Sequence, residues 1–324
     1  MELKGNLISV REDARVLDAT LRDGGLVNDF FFTDEFVRSL YAANTAAGVD
    51  YMEFGYKASK ALFDREKFGK WKFCDDEDIR AIVGENENGP KISVMADVGR
   101  CDYQQDIHPA AESPIDMVRV ATYIDTIPEA IAMIEDAAKK GYEVTCNIMA
   151  ISNCQESDLK IALNMLAQSP ISTMYIVDSF GSLYPEEIRR LVDVYDGIMG
   201  PAGIKLGIHA HNNQQCAFAN TIEALSMGAS YLDGTLSGMG RGAGNCALEA
   251  LIGFLKNPRY QLDPLLRFIQ KDILALKEAG CVWGYDIPYL LTGLLDQHPR
   301  TAIAATKAHD TNYSAFYQML LDKD

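Results

Sequence analysis

No stretch of the 324-residue chain approaches the roughly 18 consecutive apolar residues that a membrane-spanning helix needs. The opening segment, MELKGNLISVREDARVLDAT, also lacks an apolar run of signal-peptide length. A soluble, cytoplasmic protein that does not engage a membrane is the expectation. Cationic side chains are scarce: 30 Lys and Arg stand against 46 Asp and Glu, a formal net charge of −16. Nucleic-acid binding takes most of its affinity from clustered Lys and Arg, so nucleic acid is excluded as a partner. An anionic metabolite is not, because a buried cation with one or two arginines reverses the local field. The seven cysteines (Cys74, Cys101, Cys146, Cys154, Cys216, Cys246 and Cys281) contain no Cys-x-x-Cys pair, which argues for reduced thiols rather than a disulfide framework. Fixed-period repeats, low-complexity tracts and flexible linkers are absent too, so neither a solenoid nor a string of tethered domains is expected.

What the chain does have is apolar residues, 48% of the total, enough for one large core. From residue 16 to about 256, short runs rich in Val, Ile, Met and Tyr alternate with segments of helical period. The strand candidates cover 16–20, 50–54, 91–97, 116–122, 142–149, 173–178, 203–211 and 230–236. Between them lie amphipathic helices with readable ends, such as the one opened by Thr126-Ile-Pro-Glu and stopped at Lys140-Gly141, and another opened by Tyr184-Pro-Glu-Glu. Strand-then-helix alternation implies parallel strands joined by right-handed crossovers, and eight such units are the number that closes a barrel. The expected fold is therefore an α/β (β/α)₈ TIM barrel over residues 1–258, followed by a helical extension over 259–324 that packs on it. An open doubly wound sheet is the alternative.

Catalytic groups in such barrels come from the C-terminal ends of strands. At the end of strand 7, His209-Ala-His211 puts two imidazoles on one face of an extended chain. At the end of strand 1, Arg22-Asp23 precedes Gly24-Gly25. Strand 1 neighbours strand 8 in a closed barrel and strand 7 lies one further round, so Asp23, His209 and His211 can meet at one mouth. Two neutral nitrogens and a carboxylate leave positions open on a six-coordinate divalent ion for a chelating substrate. Mn²⁺ or Mg²⁺ come foremost, with Co²⁺ or Zn²⁺ as alternatives.

The loop after strand 8, Ser237-Gly-Met-Gly-Arg-Gly-Ala-Gly-Asn245, packs four glycines into seven residues. It comes too late in the chain for a dinucleotide fingerprint and lacks the Lys-Ser/Thr of a phosphate loop. A backbone-rich turn that admits substrate and aims Arg241 and Asn245 at the metal is the better reading, with phosphate binding the minority one. Ser179 ends strand 6, where a hydroxyl can hold a substrate carboxylate. Glu53 ends strand 2 and Arg119 lies in strand 4. For these three a structural hydrogen bond or ion pair is an equal alternative.

These residues, in this order, resemble the metal-dependent aldolase and Claisen-type lyase superfamily. It includes 4-hydroxy-2-oxovalerate aldolase, 3-hydroxy-3-methylglutaryl-CoA lyase, isopropylmalate and homocitrate synthases, and the carboxyltransferase domains of biotin carboxylases. The signature is Thr20-Leu-Arg-Asp-Gly24 early and His209-Ala-His-Asn212 late. Met117–Thr122, Tyr175–Ser179 and Leu236–Asn245 resemble the 4-hydroxy-2-oxovalerate aldolases most closely. The resemblance implies that Asp23, His209 and His211 ligate the metal, that Arg22 stabilises an enolate, that Ser179 contacts the pyruvate portion and that Asn245 reaches the site. Tyr285 falls near a tyrosine that orients substrate. The implied reaction is retro-aldol cleavage, or aldol addition, of a small 4-hydroxy-2-oxo acid to pyruvate plus an aldehyde. A homodimer, or docking of an aldehyde dehydrogenase on the C-terminal helices, is implied as well.

One departure matters. The aldolases carry a histidine as general base two residues past the glycine of the Arg-Asp-Gly turn, and the synthases carry Glu and Gln there; this chain has Leu26. A leucine moves no proton, which leaves Tyr285, Asp29 or a water at the metal as the acceptor. It also keeps two other readings open, a Claisen-type acyl-CoA lyase or synthase, and a metal-binding barrel that has lost its base.

Overall fold

A computed structural model describes residues 7–322. Eight parallel strands close into a barrel in sequence order: β1 (Arg15–Asp18), β2 (Tyr51–Tyr56), β3 (Lys91–Asp97), β4 (Met117–Thr122), β5 (Glu143–Ile148), β6 (Thr173–Asp178), β7 (Lys205–Ala210) and β8 (Tyr231–Gly234). The closing edge pairs Arg15–Asp18 with Tyr231–Gly234 in continuous register. Strands such as β4 and β6 are buried along their whole length, because helices cover their outer faces while the barrel interior is filled by side chains. That double burial is why they read as unbroken runs rather than alternating ones. No helix among the described residues is long and apolar enough to cross a membrane, and all seven cysteines are free.

Local signals held with two adjustments. Strand 1 ends at Asp18, not at Thr20. The Asp18 carboxylate accepts the Thr20 backbone N–H at 2.9 Å, the Thr20 hydroxyl, and the Asn44 amide at 2.6 Å. These bonds turn the chain into a one-turn helix, Thr20–Gly24. Before the helix Ile127–Lys139, the Thr126 hydroxyl pairs with that of Thr122 at 2.9 Å instead of capping the helix. At Tyr184 the sequence signal is realised: the Glu187 carboxylate reaches back to the Tyr184 N–H at 2.9 Å, the reciprocal half of a capping box.

The barrel interior is layered. Leu17, Ala19, Tyr51 and Met117, with Tyr231, form an apolar plug near the strand starts. The next layer toward the strand ends is ionic. Arg119 on β4, fully buried, donates to Glu53 on β2 at 2.9 Å and to Asp233 on β8 at 2.6 Å, and its guanidinium lies 4.3 Å from the Tyr175 ring centroid. Buried charges survive only when paired in this way.

After the barrel, the helix Asp263–Phe268 packs against the helix Asp34–Ala47, with the Phe36 and Phe268 rings 5.1 Å apart. Leu265, Phe268 and Ile273 join the main core. Tyr289, Ala302, Phe316 and Leu320 build a second, small core around Ala243 of the glycine loop. The C-terminal helices therefore hold the loop that follows β8.

Candidate active site

The one-turn helix after β1 places Arg22 and Asp23 at the barrel mouth, fixed by the Asp18 cap beneath and by Thr20, whose hydroxyl accepts the Leu236 N–H at 2.8 Å. The end of β7 brings His209 and His211 opposite, their rings edge to face with centroids 5.1 Å apart. Asp23 Oδ2 lies 3.3 Å from His209 Nε2 and 3.5 Å from His211 Nε2. One ligand atom from each of the three falls within 4.8 Å of the others, and all three residues are buried.

Neighbouring groups fix the imidazoles from behind. His209 Nδ1 is 3.0 Å from an Asp233 carboxylate oxygen, and His211 Nδ1 is 2.9 Å from the Asp178 carbonyl oxygen. Each Nδ1 therefore carries the proton and donates it, which turns a bare Nε2 lone pair toward Asp23. Two lone pairs facing a carboxylate oxygen repel one another unless a cation lies between them. The Asn245 Oδ1 beside them is buried without a partner, a further oxygen donor at hand. This donor set of two nitrogens and one or two oxygens fits a divalent ion.

A proton on Nε2 meets the same need as a cation, and the titration of the three groups reflects it. Burial alone would raise the Asp23 carboxyl, but the Arg22 guanidinium and the two imidazoles hold it well below the usual carboxylate range. Burial and Arg22 push His209 down, yet the Asp23 and Asp233 carboxylates outweigh them and place it above the ordinary imidazole value. Burial keeps His211 below that value.

Arg22 is anchored by Nε on Glu53 at 2.8 Å and by Nη1 on Asp23 at 2.7 Å. The Arg241 backbone N–H donates to Asp23 Oδ1 at 3.1 Å, and its guanidinium donates to the Ser179 carbonyl at 3.3 Å, leaving its own Nε buried and unpartnered. The glycine loop approaches so closely that a Cβ on Gly240 would lie 2.1 Å from Asn245 Nδ2 and 2.7 Å from Asp23 Oδ1. Any side chain there has to displace Asn245 or Asp23.

Arg22, Asp23, Ser179, His209 and His211 thus line one cavity of about 80 Å³, together with Leu26, Tyr56, Asn147 and Arg241. Asn245 borders it through the bridge to His211. Tyr285 is placed outside it: 53% exposed, it lines a neighbouring hollow with Trp283, Asn212 and Asn245 itself. Asp29 is exposed and outside the cavity lining. Leu26 and Arg241 also border a larger chamber of about 610 Å³ under the C-terminal helices. Tyr56 and Asp233 carried no sequence signal of their own, although Asp233, a lone carboxylate inside an apolar strand, is the kind of residue that has to find a partner.

The family model described as HMGL-like matches residues 13–270. Among curated proteins, the chain is 33% identical to an oxaloacetate decarboxylase of Mycobacterium tuberculosis, over 80% of this chain and 76% of the relative. It is 28% identical to a 4-hydroxy-2-oxovalerate aldolase of Pelotomaculum thermopropionicum, over 86% and 83%. Among solved structures, the N-terminal domain of a Bacteroides vulgatus protein superposes with a TM-score of 0.74 at 26% identity, covering 90% of this chain and 96% of that one. The HMG-CoA lyase of Brucella melitensis superposes at 0.64, covering 83% and 100%, a likeness of fold at 16% identity. With its closed barrel and its Asp-His-His mouth, the chain belongs to the HMGL-like family of metal-dependent carbon–carbon lyases.

Proposed function

We propose that the protein breaks the C3–C4 bond of a small 2-oxo acid and leaves the pyruvate portion as an enolate. The observation that carries this reading is the juxtaposition of Asp23, His209 and His211 with the anchored Arg22 guanidinium in one enclosed cavity. A divalent ion held by the triad supplies Lewis-acid polarisation of the 2-oxo group. Arg22, immobilised by Glu53 and Asp23, presents its remaining N–H groups to the oxygen that gains charge, a preorganised donor that needs no rearrangement. The Ser179 hydroxyl accepts the Ala150 N–H at 2.8 Å, which leaves its own proton for the substrate carboxylate, and Arg241, whose guanidinium donates to the Ser179 carbonyl, lines the same end.

The leaving fragment follows from what surrounds it. Retro-aldol cleavage of a 4-hydroxy-2-oxo acid requires a base for the hydroxyl proton, a step that contributes on the order of 10²–10⁴-fold. Among the described residues, the cavity lining holds no carboxylate or imidazole beyond the triad, which leaves the weakly acidic Tyr56 phenol as the one other proton-transfer group, and Leu26 stands at its rim. Decarboxylation of an oxaloacetate-like acid needs no such base, because carbon dioxide departs from a carboxylate already ionised. The geometry supports decarboxylation best. The retro-aldol reading comes second, favoured by the chamber beyond Leu26, which has room for an aldehyde fragment.

Pyruvate release from oxaloacetate and from 4-hydroxy-2-oxopentanoate, measured with Mg²⁺ or Mn²⁺ after metal analysis, tests both. Turnover of oxaloacetate that disappears in Asp23→Asn is expected, and Leu26→His is expected to raise aldehyde release. Lack of turnover of either acid, or turnover unchanged in Asp23→Asn, refutes the assignment.

A further inference from the structure

Strand β2 carries one residue more than the strand opposite it: Glu53 pairs with Ser93, whereas Tyr56 pairs with Met95. In regular alternation Glu53 and Gly55 would share the interior face and Tyr56 would point away from it. The bulge reverses that order, and Tyr56 lines the cavity with Arg22 and Asp23. Gly55 permits the kink, since a Cβ there would sit 1.9 Å from the Trp71 carbonyl oxygen and 3.0 Å from Cys74 Sγ. The Tyr56 hydroxyl forms no hydrogen bond within the described protein and opens on the cavity.

The ring of Tyr56 is also one wall of a cage. Lys72, only 7% exposed, places Nζ 4.3 Å from the Tyr56 ring centroid, 4.6 Å from that of Phe63, 5.0 Å from that of Phe30 and 5.8 Å from that of Phe68. No carboxylate forms an ion pair with it among the described residues. Four π-faces stand in for water around the ammonium, and the buried Asp97 carboxyl acts on it from beyond ion-pair distance. An apolar side chain would fill the cage without the cost of burying a charge. What the lysine adds is a fixed cation on one face of Tyr56, while Arg22 supplies another on the cavity side.

We infer that Tyr56 is the proton donor that completes the pyruvate methyl group. When the C3–C4 bond has broken and its electron pair rests in the enolate, the Tyr56 O–H bond breaks and its proton forms the new C3–H bond. The phenolate forms against burial and the Asp97, Asp23 and Glu53 carboxylates, which push the phenol up, with Arg22 and the caged Lys72 ammonium opposing them, and it then takes a proton back from water. This rests on the enolate reading above and holds for either leaving group. The other lining groups are unsuited: the triad faces inward on itself, arginines keep their protons, and the Ser179 alcohol is a far weaker acid than a phenol.

Exchange of the pyruvate methyl hydrogens in D₂O, followed by ¹H NMR with Mg²⁺-loaded protein, tests the role. Tyr56→Phe is expected to slow exchange by about 10²-fold or more. Lys72→Met is expected to slow it roughly tenfold, with Lys72→Arg restoring most of the loss. Calorimetry supplies a readout independent of turnover. Oxalate carries an oxygen where the enolate carries C3, so the phenol donates to it, whereas a pyruvate methyl accepts nothing. Tyr56→Phe is expected to weaken oxalate about tenfold and to leave pyruvate affinity unchanged. Unchanged exchange, or equal losses for oxalate and pyruvate, overturns the role of Tyr56. A wild-type protein that neither exchanges pyruvate nor cleaves any 2-oxo acid overturns the lyase reading instead.

Discussion

Arg119→Met is the sharpest test of how the barrel interior supports the site. Arg119 is fully buried and donates to Glu53 at 2.9 Å and to Asp233 at 2.6 Å. Methionine fills the space but leaves Glu53 with Arg22 alone and Asp233 with His209 alone. Removing one partner of a buried ion pair costs about 3–5 kcal/mol, because the remaining charge keeps its desolvation penalty without its compensation. For a chain of this length that corresponds to a fall of about 4–7 °C in Tm. The loss is not additive. Arg119→Met/Asp233→Asn is expected to be more stable than Arg119→Met, since no bare carboxylate remains in the layer. The single variant also affects the metal: an uncompensated Asp233 draws a proton onto His209, which then competes with the ion at neutral pH. Denaturant unfolding of metal-free protein and equilibrium dialysis with Mn²⁺ measure the two effects. A loss below about 1 kcal/mol, or a double variant less stable than the single one, would refute the argument that this layer is a mutually compensated set of charges.

Three further outcomes follow from the same structure. Metal affinity is expected to fall as the pH drops, first as His209, whose pKa lies above 6.5, takes up a proton and then as His211, below 6.5, does so; a flat dialysis profile between about pH 5 and pH 8 contradicts the ligand set. Gly240→Ala, whose Cβ would sit 2.7 Å from Asp23 Oδ1, is expected to cost metal affinity on the order of tenfold or more while the protein stays folded, and unchanged affinity shows that the loop yields. Burial, outweighing bonds from Thr20 and Asn44, pushes the Asp18 carboxyl from 3.8 up to about 6. Its folded pKa exceeds its unfolded one, so its contribution is complete below about pH 4 and lost as the pH rises through 6. Wild type is therefore expected to gain on Asp18→Asn by up to about 3 kcal/mol in unfolding experiments as the pH falls from 7 to 4, and a constant gap contradicts this.

Much of this molecule is legible in its sequence because a closed barrel repeats one physical solution eight times. Strands buried on both faces need unbroken runs such as Met174–Val177, and those runs located every strand. Closure then placed Asp23 beside His209 and His211, nearly two hundred residues away. What stayed hidden depends on single hydrogen bonds or single inserted residues. Nothing in Asp18-Ala-Thr20 announces that the Asp18 carboxylate ends the strand early and starts a helix. The orientation of Tyr56 hinges on one extra residue in β2, and alternation read from the sequence turns it the wrong way. Glu53, Arg119 and Asp233 look like any charged strand residues until their strands are folded around a common axis. Tyr285, suggested by resemblance alone, lies in a tail where no periodicity fixes position, and the structure sets it outside the triad's cavity.

The ionic layer beneath the mouth also sets an order of events. Around the triad, the guanidiniums of Arg22, Arg119 and Arg241 stand against the carboxylates of Asp23, Glu53 and Asp233, three charges of each sign. A divalent ion would carry that set to an excess of two positive charges, which the two carboxylates of the proposed oxaloacetate-like acid would bring back to zero. Without the ion, the same diacid would leave two negative charges uncompensated in a medium that screens poorly. On the proposed reading, electroneutrality favours an order in which the ion enters first and the organic acid second.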